Sequence, residues 1–139
     1  MGDAYQDGIV ATLHNFQTKS LEDIEAELKL FSGYRPMELV LPCLYSELEG
    51  PALRHIVGEI SKVDYLNHVI IGLDRADEAQ YRVAHSFFQN LKQPFSLLWN
   101  DGPRIQNIHS QLVELGLAPT EPGKGRNVWY CIGFANARG

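Results

Sequence analysis

The feature that most constrains the fold is a regular alternation, after about residue 36, of short apolar runs with amphipathic helical patterns. The clearest apolar run, residues 68–73, is β-branched and nearly continuous in apolarity, which is typical of a central strand covered on both faces. Strands that alternate with helices form βαβ units with right-handed crossovers. We therefore expect an α/β fold with a mainly parallel sheet of three to four strands and helices on both faces.

The other segments follow the same alternation. Strands are predicted for three more apolar runs: residues 9–13, 38–41 (ended by Pro42) and 95–99. Helices are predicted for five amphipathic runs: 21–32 after the N-cap Ser20, 51–60 with Pro51 in the first turn, 77–91, 104–115, and a last run around 128–134. The spacing predicts inward faces that include Ile56, Ile108, Leu115, Trp129 and Ile132.

Composition limits the class of protein. The chain has 139 residues, of which 45% are hydrophobic and 21% charged, which is typical of one globular domain. A net charge of -5 without a basic stripe argues against nucleic-acid and membrane-surface partners. No apolar run reaches the roughly 20 residues of a spanning helix, and the first residues do not resemble a secretory signal. Because Cys43 and Cys131 are too few for a disulfide framework, we expect a cytoplasmic protein.

The carboxyl ends of the predicted strands are the expected place for a ligand. In parallel α/β sheets, ligands bind in the crevice beyond these ends. Here the ends lead into residues 42–47, 74–77 and 100–102, which are polar or rich in turn-forming residues. The sequence therefore predicts a ligand crevice at this edge of the sheet.

Three features near this edge are suited to a nucleotide, and each has a structural alternative. Asp74 directly follows the central strand, where a carboxylate accepts hydrogen bonds from ribose hydroxyls or a base N–H, but it could equally cap a turn or helix. Glu47 and Glu49 could orient a nucleotide or favour the start of the next helix. The Gly-Lys-Gly sequence at residues 123–125 could cradle phosphate or form a flexible loop.

Other chemistry finds no support in the sequence. The five histidines lack metal-ligand spacing, and together with two isolated cysteines they predict no metal site. Cys43 has no assignable histidine partner, so it is not predicted to be a nucleophile. Walker A and dinucleotide-binding fingerprints are both missing from the sequence.

Taken in order, residues 39–47, 69–76 and 123–128 resemble the nucleotide-binding half of GT-A-fold glycosyltransferases of the glucosyl-3-phosphoglycerate and mannosyl-3-phosphoglycerate synthase type. The resemblance covers residues 38–137 and implies a partial GT-A, Rossmann-like fold that binds a nucleotide-diphospho-sugar, either UDP- or GDP-hexose. It assigns donor contacts to the loop after the first strand, to the end of the central strand and to the Gly-Lys-Gly loop. The matching residues are Pro42, Glu47, Asp74, Gly123, Lys124 and Gly125.

The resemblance also has a departure. In the family, the helix after Gly-Lys-Gly leads into a strand that ends in Asp-x-Asp, which binds a divalent Mg or Mn ion and the diphosphate. This sequence contains no Asp-x-Asp. The resemblance thus implies an N-terminal extension with one helix, residues 1–35, and a nucleotide-sugar-binding half, residues 36–139, truncated before that strand. It also implies a metal for the complete enzyme and none bound by this chain alone.

Two classes of function follow. The first is the donor-binding portion of a glycosyltransferase that transfers a hexose to a small phosphorylated acceptor such as 3-phosphoglycerate, is inactive alone, and has no catalytic residue assigned here. The second is a noncatalytic nucleotide-binding or assembly domain that kept the fold and lost the chemistry. In either case the first strand, 38–41, would lie on a sheet edge. We expect residues 9–13 to cover that edge or, preferably, two chains to form a homodimer through it.

Overall fold

A computed structural model of the chain describes residues 19–139. The chain divides into two compact units, one ending at Arg35 and the other running from Pro36 to Gly139. The described part of the first unit contains one helix, α1 (Leu21–Ser32), which begins where the sequence predicts. Its N-cap is Ser20, whose hydroxyl oxygen accepts a 3.1 Å hydrogen bond from the backbone N–H of Asp23. The strand predicted at residues 9–13 lies outside the described residues.

The second unit is a three-stranded, wholly parallel sheet with four helices. Its elements are β1 (Met37–Leu44), a 3₁₀ turn (Tyr45–Glu49), α2 (Pro51–Ile60), β2 (Leu66–Asp74), α3 (Glu78–Phe88), β3 (Phe95–Trp99), α4 (Pro103–Glu114) and α5 (Lys124–Arg138). The strand order is β1-β2-β3, so β2 is central. The predicted α/β class with a parallel, Rossmann-like sheet is confirmed. No helix within residues 19–139 is both long enough and apolar enough to cross a bilayer.

The central strand β2 is covered on both faces. On one face Val69, Ile71 and Leu73, all fully buried, join the main core with buried side chains of α2 and α3. On the other face Ile70 packs in a smaller cluster with Cys131 of α5. This two-sided burial explains why the strand is almost continuously apolar in sequence.

The boundary predicted for the first strand is wrong. Pro42 does not end the strand, because β1 continues to Leu44 with Pro42 paired in register with Gly72. Within the described sheet β1 pairs only with β2. A proline lacks a backbone N–H, so a strand that is paired on one side only accommodates it readily.

Several predicted inward faces are also wrong. The side chains that the helical spacing placed inside but that the structure leaves substantially exposed are Ile56 (42%), Ile108 (52%), Leu115 (69%), Trp129 (37%) and Ile132 (49%). The helix α4 buries none of its residues, and α5 instead buries Asn127, Tyr130 and Cys131. A pattern based on hydrophobicity cannot anticipate a helix whose contact with the sheet is centred on an asparagine.

The strand register aligns the carboxyl ends of the three strands at one edge of the sheet. Leu44 at the end of β1 pairs with Asp74 at the end of β2, and Leu73 pairs with Trp99 at the end of β3. Because all three strands are parallel, the segments that follow them leave the sheet at the same edge.

Candidate functional site

A cavity of about 260 Å³, here called the strand-end cavity, opens where β1 and β2 end. Its wall is made of the end of β1, the 3₁₀ turn, the end of β2 and the first turn of α5. The lining residues are Pro42, Cys43, Leu44, Glu47, Asp74, Arg75, Gly123, Lys124 and Asn127. The structure thus brings together five of the six residues singled out in the sequence, and Gly125 is the one that does not line the cavity.

Glu47 is held by the 3₁₀ turn that follows β1. One carboxylate oxygen, Oε2, accepts a 2.7 Å hydrogen bond from the backbone N–H of Leu44. The carboxylate therefore stabilises this turn, not the start of α2, where Pro51 occupies the first turn and no side chain caps the helix. The residue is exposed at the cavity wall, and its other oxygen remains available to a ligand.

Asp74 is nearly buried, at 7% exposure, at the last position of β2. It does not cap the following helix, because that role belongs to Asp77, whose carboxylate accepts a 2.8 Å hydrogen bond from the backbone N–H of Gln80. The side chain of Asn100 lies next to Asp74, with Nδ2 3.5 Å from Oδ1. A buried carboxylate with so few donors retains acceptor capacity that a ligand can use.

Asn100 is itself fixed by the strand end. Its backbone N–H donates to the carbonyl of Leu73 at 3.0 Å, and its own carbonyl accepts a 2.6 Å hydrogen bond from Gln106 Nε2. The side-chain oxygen of Asn100 is buried without a partner among the described residues. Asn100 thus lies beside Asp74 from the turn that follows β3, where the sequence predicted a turn but no role at the site.

The first turn of α5 presents positive charge to the cavity. Gly123, the N-cap, has φ 147°, a conformation that glycine adopts without steric cost, and no side chain caps the helix. Since no side chain within residues 19–139 caps them, the first backbone N–H groups can bind an anion, with the helix dipole adding to the attraction. Lys124 lies at the same place, is exposed, and makes no ion pair within residues 19–139.

Asn127 ties this helix to the sheet and was missed in the sequence. It is 3% exposed, and its Nδ2 donates a 2.8 Å hydrogen bond to the carbonyl of Gly72, near the carboxyl end of β2. A Cβ atom on Gly72 would lie 1.7 Å from Asn127 Oδ1, so only glycine leaves room for this contact. The sequence signal that could have indicated this contact is Gly72 itself. A glycine inside an otherwise apolar strand often marks a place where another part of the chain packs closely against the strand backbone.

Cys43 also lines the cavity, and its burial favours the protonated thiol. Burial, and after it the charge of Glu47, raises the pKa of the Cys43 thiol from 9.0 to about 12. The thiol is therefore protonated at neutral pH, and a thiolate is the reactive form.

The described residues do not provide a divalent-metal site by themselves. No group of three or more His, Cys, Asp or Glu side chains in residues 19–139 could hold a metal ion. What the strand-end cavity offers instead is two carboxylates, two cationic side chains and a helix N-terminus. This donor and acceptor set suits a ligand with hydroxyl or N–H groups at one end and phosphate at the other.

The fold and the cavity define the class as a parallel, Rossmann-like α/β protein with a polar ligand cavity at the strand carboxyl ends. The sequence is similar to two glucosyl-3-phosphoglycerate synthases. It is 42% identical over 134 residues to that of Persephonella marina and 34% identical over 134 residues to that of Methanococcoides burtonii. Each match covers 96% of this chain and 33% of the relative.

The chain therefore spans about a third of the length of these relatives. The predicted resemblance to glycosyltransferases of the glucosyl-3-phosphoglycerate synthase type is confirmed along nearly the whole chain. No family model matches it. No solved structure matches it either.

Proposed function

We propose that residues 36–139 form the donor-binding portion of a GT-A-type glycosyltransferase and bind a UDP- or GDP-hexose in the strand-end cavity. The observation that carries the proposal is that Glu47, Asp74 and Lys124, which arise from three separate segments, line one cavity at the carboxyl edge of a parallel sheet. The similarity to glucosyl-3-phosphoglycerate synthases supports the same function.

In this proposal the nucleoside and the diphosphate of the donor bind to different walls of the strand-end cavity. Asp74, with Glu47 nearby, accepts hydrogen bonds from the base or ribose, since both carboxylates have free acceptor capacity. Lys124 and the first-turn N–H groups of α5 bind the diphosphate. Pro42 and Gly123 form uncharged parts of the cavity wall, and Gly125 lies beside Lys124 in the first turn of α5. Lys124 would also stabilise the charge that develops on the diphosphate as the sugar departs.

The complete reaction requires more than these residues. By analogy with the relatives, the whole enzyme would transfer a hexose to a small phosphorylated acceptor such as 3-phosphoglycerate. A divalent Mg or Mn ion would add charge neutralisation at the leaving diphosphate when bound. Because the sequence contains no Asp-x-Asp, which in the family binds the metal ion, we propose that the 139-residue chain alone transfers no sugar. Residues 1–35 would then be an N-terminal extension to the donor-binding half.

A noncatalytic nucleotide-binding or assembly domain is the second candidate, favoured by the same lack of an Asp-x-Asp in the sequence. Both candidates predict nucleotide binding and no turnover by this chain alone. The two candidates predict different results when the remaining two thirds of a relative is supplied as a separate chain. Recovery of metal-dependent hexose transfer would identify the donor-binding portion of an enzyme, whereas binding that never supports transfer would favour the second candidate.

The edge of the sheet supports a proposal about assembly. Within residues 19–139, β1 pairs with β2 and has no partner on its other side. Unpaired backbone groups along an edge strand are a template for another strand. We therefore propose that two chains associate as a homodimer through β1, with no nucleic-acid or membrane partner.

Titration calorimetry with UDP, GDP and their hexoses tests the proposed site. Asp74→Asn and Lys124→Ala should each weaken binding by about 10-fold, because each removes a charged hydrogen-bonding partner. Lys92→Ala is the matched control, since this exposed lysine precedes β3 at the opposite end of the sheet and should leave the affinity unchanged. Equal affinities in the wild type and both cavity variants would reject the site.

A further inference from the structure

Arg75 has an unusual backbone conformation at the edge of the strand-end cavity. Its φ is 55°, and it is the one non-glycine residue with positive φ among residues 19–139. Left-handed backbone is unfavourable for residues with a Cβ, and it persists where the surrounding structure enforces it. Such residues are concentrated at functional sites.

The neighbouring contacts show why the backbone turns there whatever residue occupies position 75. The N–H of Ala76 donates to Asp101 Oδ2 at 3.0 Å, and the carbonyl of Ala76 accepts a 2.7 Å hydrogen bond from Trp99 Nε1. Immediately afterwards Asp77 caps α3. These contacts come from β3, its following turn and α3, and none involves the side chain of Arg75. Glycine would satisfy the same turn with less strain, so the fold does not explain an arginine.

The side chain of Arg75 has no structural partner in the described part of the chain. Arg75 is exposed, lines the strand-end cavity and makes no hydrogen bond or ion pair there. Lys124, on the α5 wall of the same cavity, is equally without an ion-pair partner within residues 19–139. Two uncompensated cations on two walls of one cavity, beside a helix N-terminus, suit an anion with several oxygens.

We propose that Arg75 is a second cationic ligand for the phosphates of the donor nucleotide, acting from the β2 wall while Lys124 acts from the α5 wall. The proposal rests on the proposed function above and adds a contact that the sequence analysis did not assign. An arginine fork bonds two phosphate oxygens at once, whereas a lysine provides a single point charge. The strained turn places this fork directly after Asp74, so one strand end recognises both a neutral and an anionic part of the donor.

The conformational strain gives a test that separates binding from stability. Arg75→Gly removes the guanidinium and relieves the left-handed strain. It should weaken UDP binding by about 10-fold in calorimetry, while the Tm stays the same or rises by up to about 3 °C. Arg75→Lys keeps the charge and should lose only about 3-fold in affinity. Lys92→Ala, the same change of charge at the opposite end of the sheet, should leave UDP affinity unchanged.

Salt dependence identifies the phosphate as the group contacted. Raising the salt concentration from low to physiological should weaken UDP binding more in the wild type than in Arg75→Gly, because one phosphate contact is missing from the variant. Unchanged affinity in Arg75→Gly, an identical salt dependence, or an affinity loss accompanied by a lower Tm would each overturn the proposal. If the wild type binds UDP and Arg75→Gly binds it equally well, the inference alone fails. If the wild type binds neither UDP nor GDP, the proposed function fails and the inference fails with it.

Discussion

At the scale of single residues, the contact between Gly72 and Asn127 is so close that it leaves no room for a side chain at position 72. It joins the buried carboxyl-terminal part of β2 to the first turns of α5 through one 2.8 Å hydrogen bond. Both groups are shielded from water, so the amide and the carbonyl would each lose a partner if the contact were broken. The position of Lys124, one turn earlier on α5, depends on this contact.

We expect Gly72→Ala to destabilise the fold by about 2 kcal/mol or more. The new Cβ would lie 1.7 Å from Asn127 Oδ1 and 2.7 Å from Cys131 Sγ, so the helix must move away from the sheet. Urea denaturation measures the effect. Gly58→Ala in α2 is the matched control, because a Cβ there meets nothing within 4 Å and should stabilise the helix by about 0.5–1 kcal/mol. A Gly72→Ala variant as stable as the wild type would show that α5 is not held this closely.

The buried cysteines predict a pH dependence of stability. Burial raises the pKa of Cys43 from 9.0 to about 12 and that of Cys131 from 9.0 to about 11. Between the unfolded and folded values the unfolded chain releases protons that the folded chain keeps, so stability falls as the pH rises above about 9. Denaturation midpoints measured from pH 8 to 11 should show this fall, and a Cys43→Ala/Cys131→Ala double variant should show less of it. An equal fall in both proteins would contradict the assignment.

At the scale of elements, α5 does two things at once: it covers β1 and β2, and its N-terminus forms one wall of the cavity. Asn127 links these roles. We expect Asn127→Ala to reduce stability by about 1–2 kcal/mol and to weaken UDP binding, since the first turn is no longer fixed to β2. Asn107→Ala, at an exposed position of α4, is the control and should change neither quantity. Loss of stability without any loss of affinity would separate the two roles of α5.

The elements also show how far sequence reasoning extends. Residues 95–99 and the α1 helix match their predicted boundaries, because strong apolar runs and an N-cap serine are local signals. The faces of α4 and α5 were not predictable from periodicity, since polar Asn127 determines how α5 meets the sheet. The strand end predicted at Pro42 was wrong for a similar reason. A proline fits inside β1 because, within residues 19–139, β1 pairs on one side only, and this pairing is visible only in the assembled sheet.

The cavity residues likewise include some that the sequence predicts and some that it does not. Segments that carry a local signature, such as a carboxylate after an apolar strand or glycines flanking a lysine, brought Glu47, Asp74 and Lys124 to attention. Asn100 and Asn127 have no such signature, because their value arises from neighbours more than 20 residues away in sequence. Arg75 becomes notable only through its backbone conformation.

At the scale of the whole molecule, β1 has no strand partner on one side within residues 19–139, and we propose that two chains assemble through this side. We expect light scattering at micromolar concentration to give a mass near twice 15.7 kDa, and hydrogen exchange to show protection of the β1 amides that face away from β2. If residues 9–13 cover the edge instead, the protein should be monomeric with protected amides in that segment. A monomer in which the amides of residues 9–13 exchange freely would contradict both forms of the edge proposal.

The central claim is that the strand-end cavity binds the donor nucleotide, and amide NMR during a UDP titration tests it most directly. The account predicts that the largest shift changes fall on cavity residues from all its walls, including Glu47, Asp74, Lys124 and Asn127. Amides near Lys62 and Lys92, at the opposite end of the sheet, should stay unchanged. Shift changes confined to that opposite end, or none with either UDP or GDP, would contradict the account.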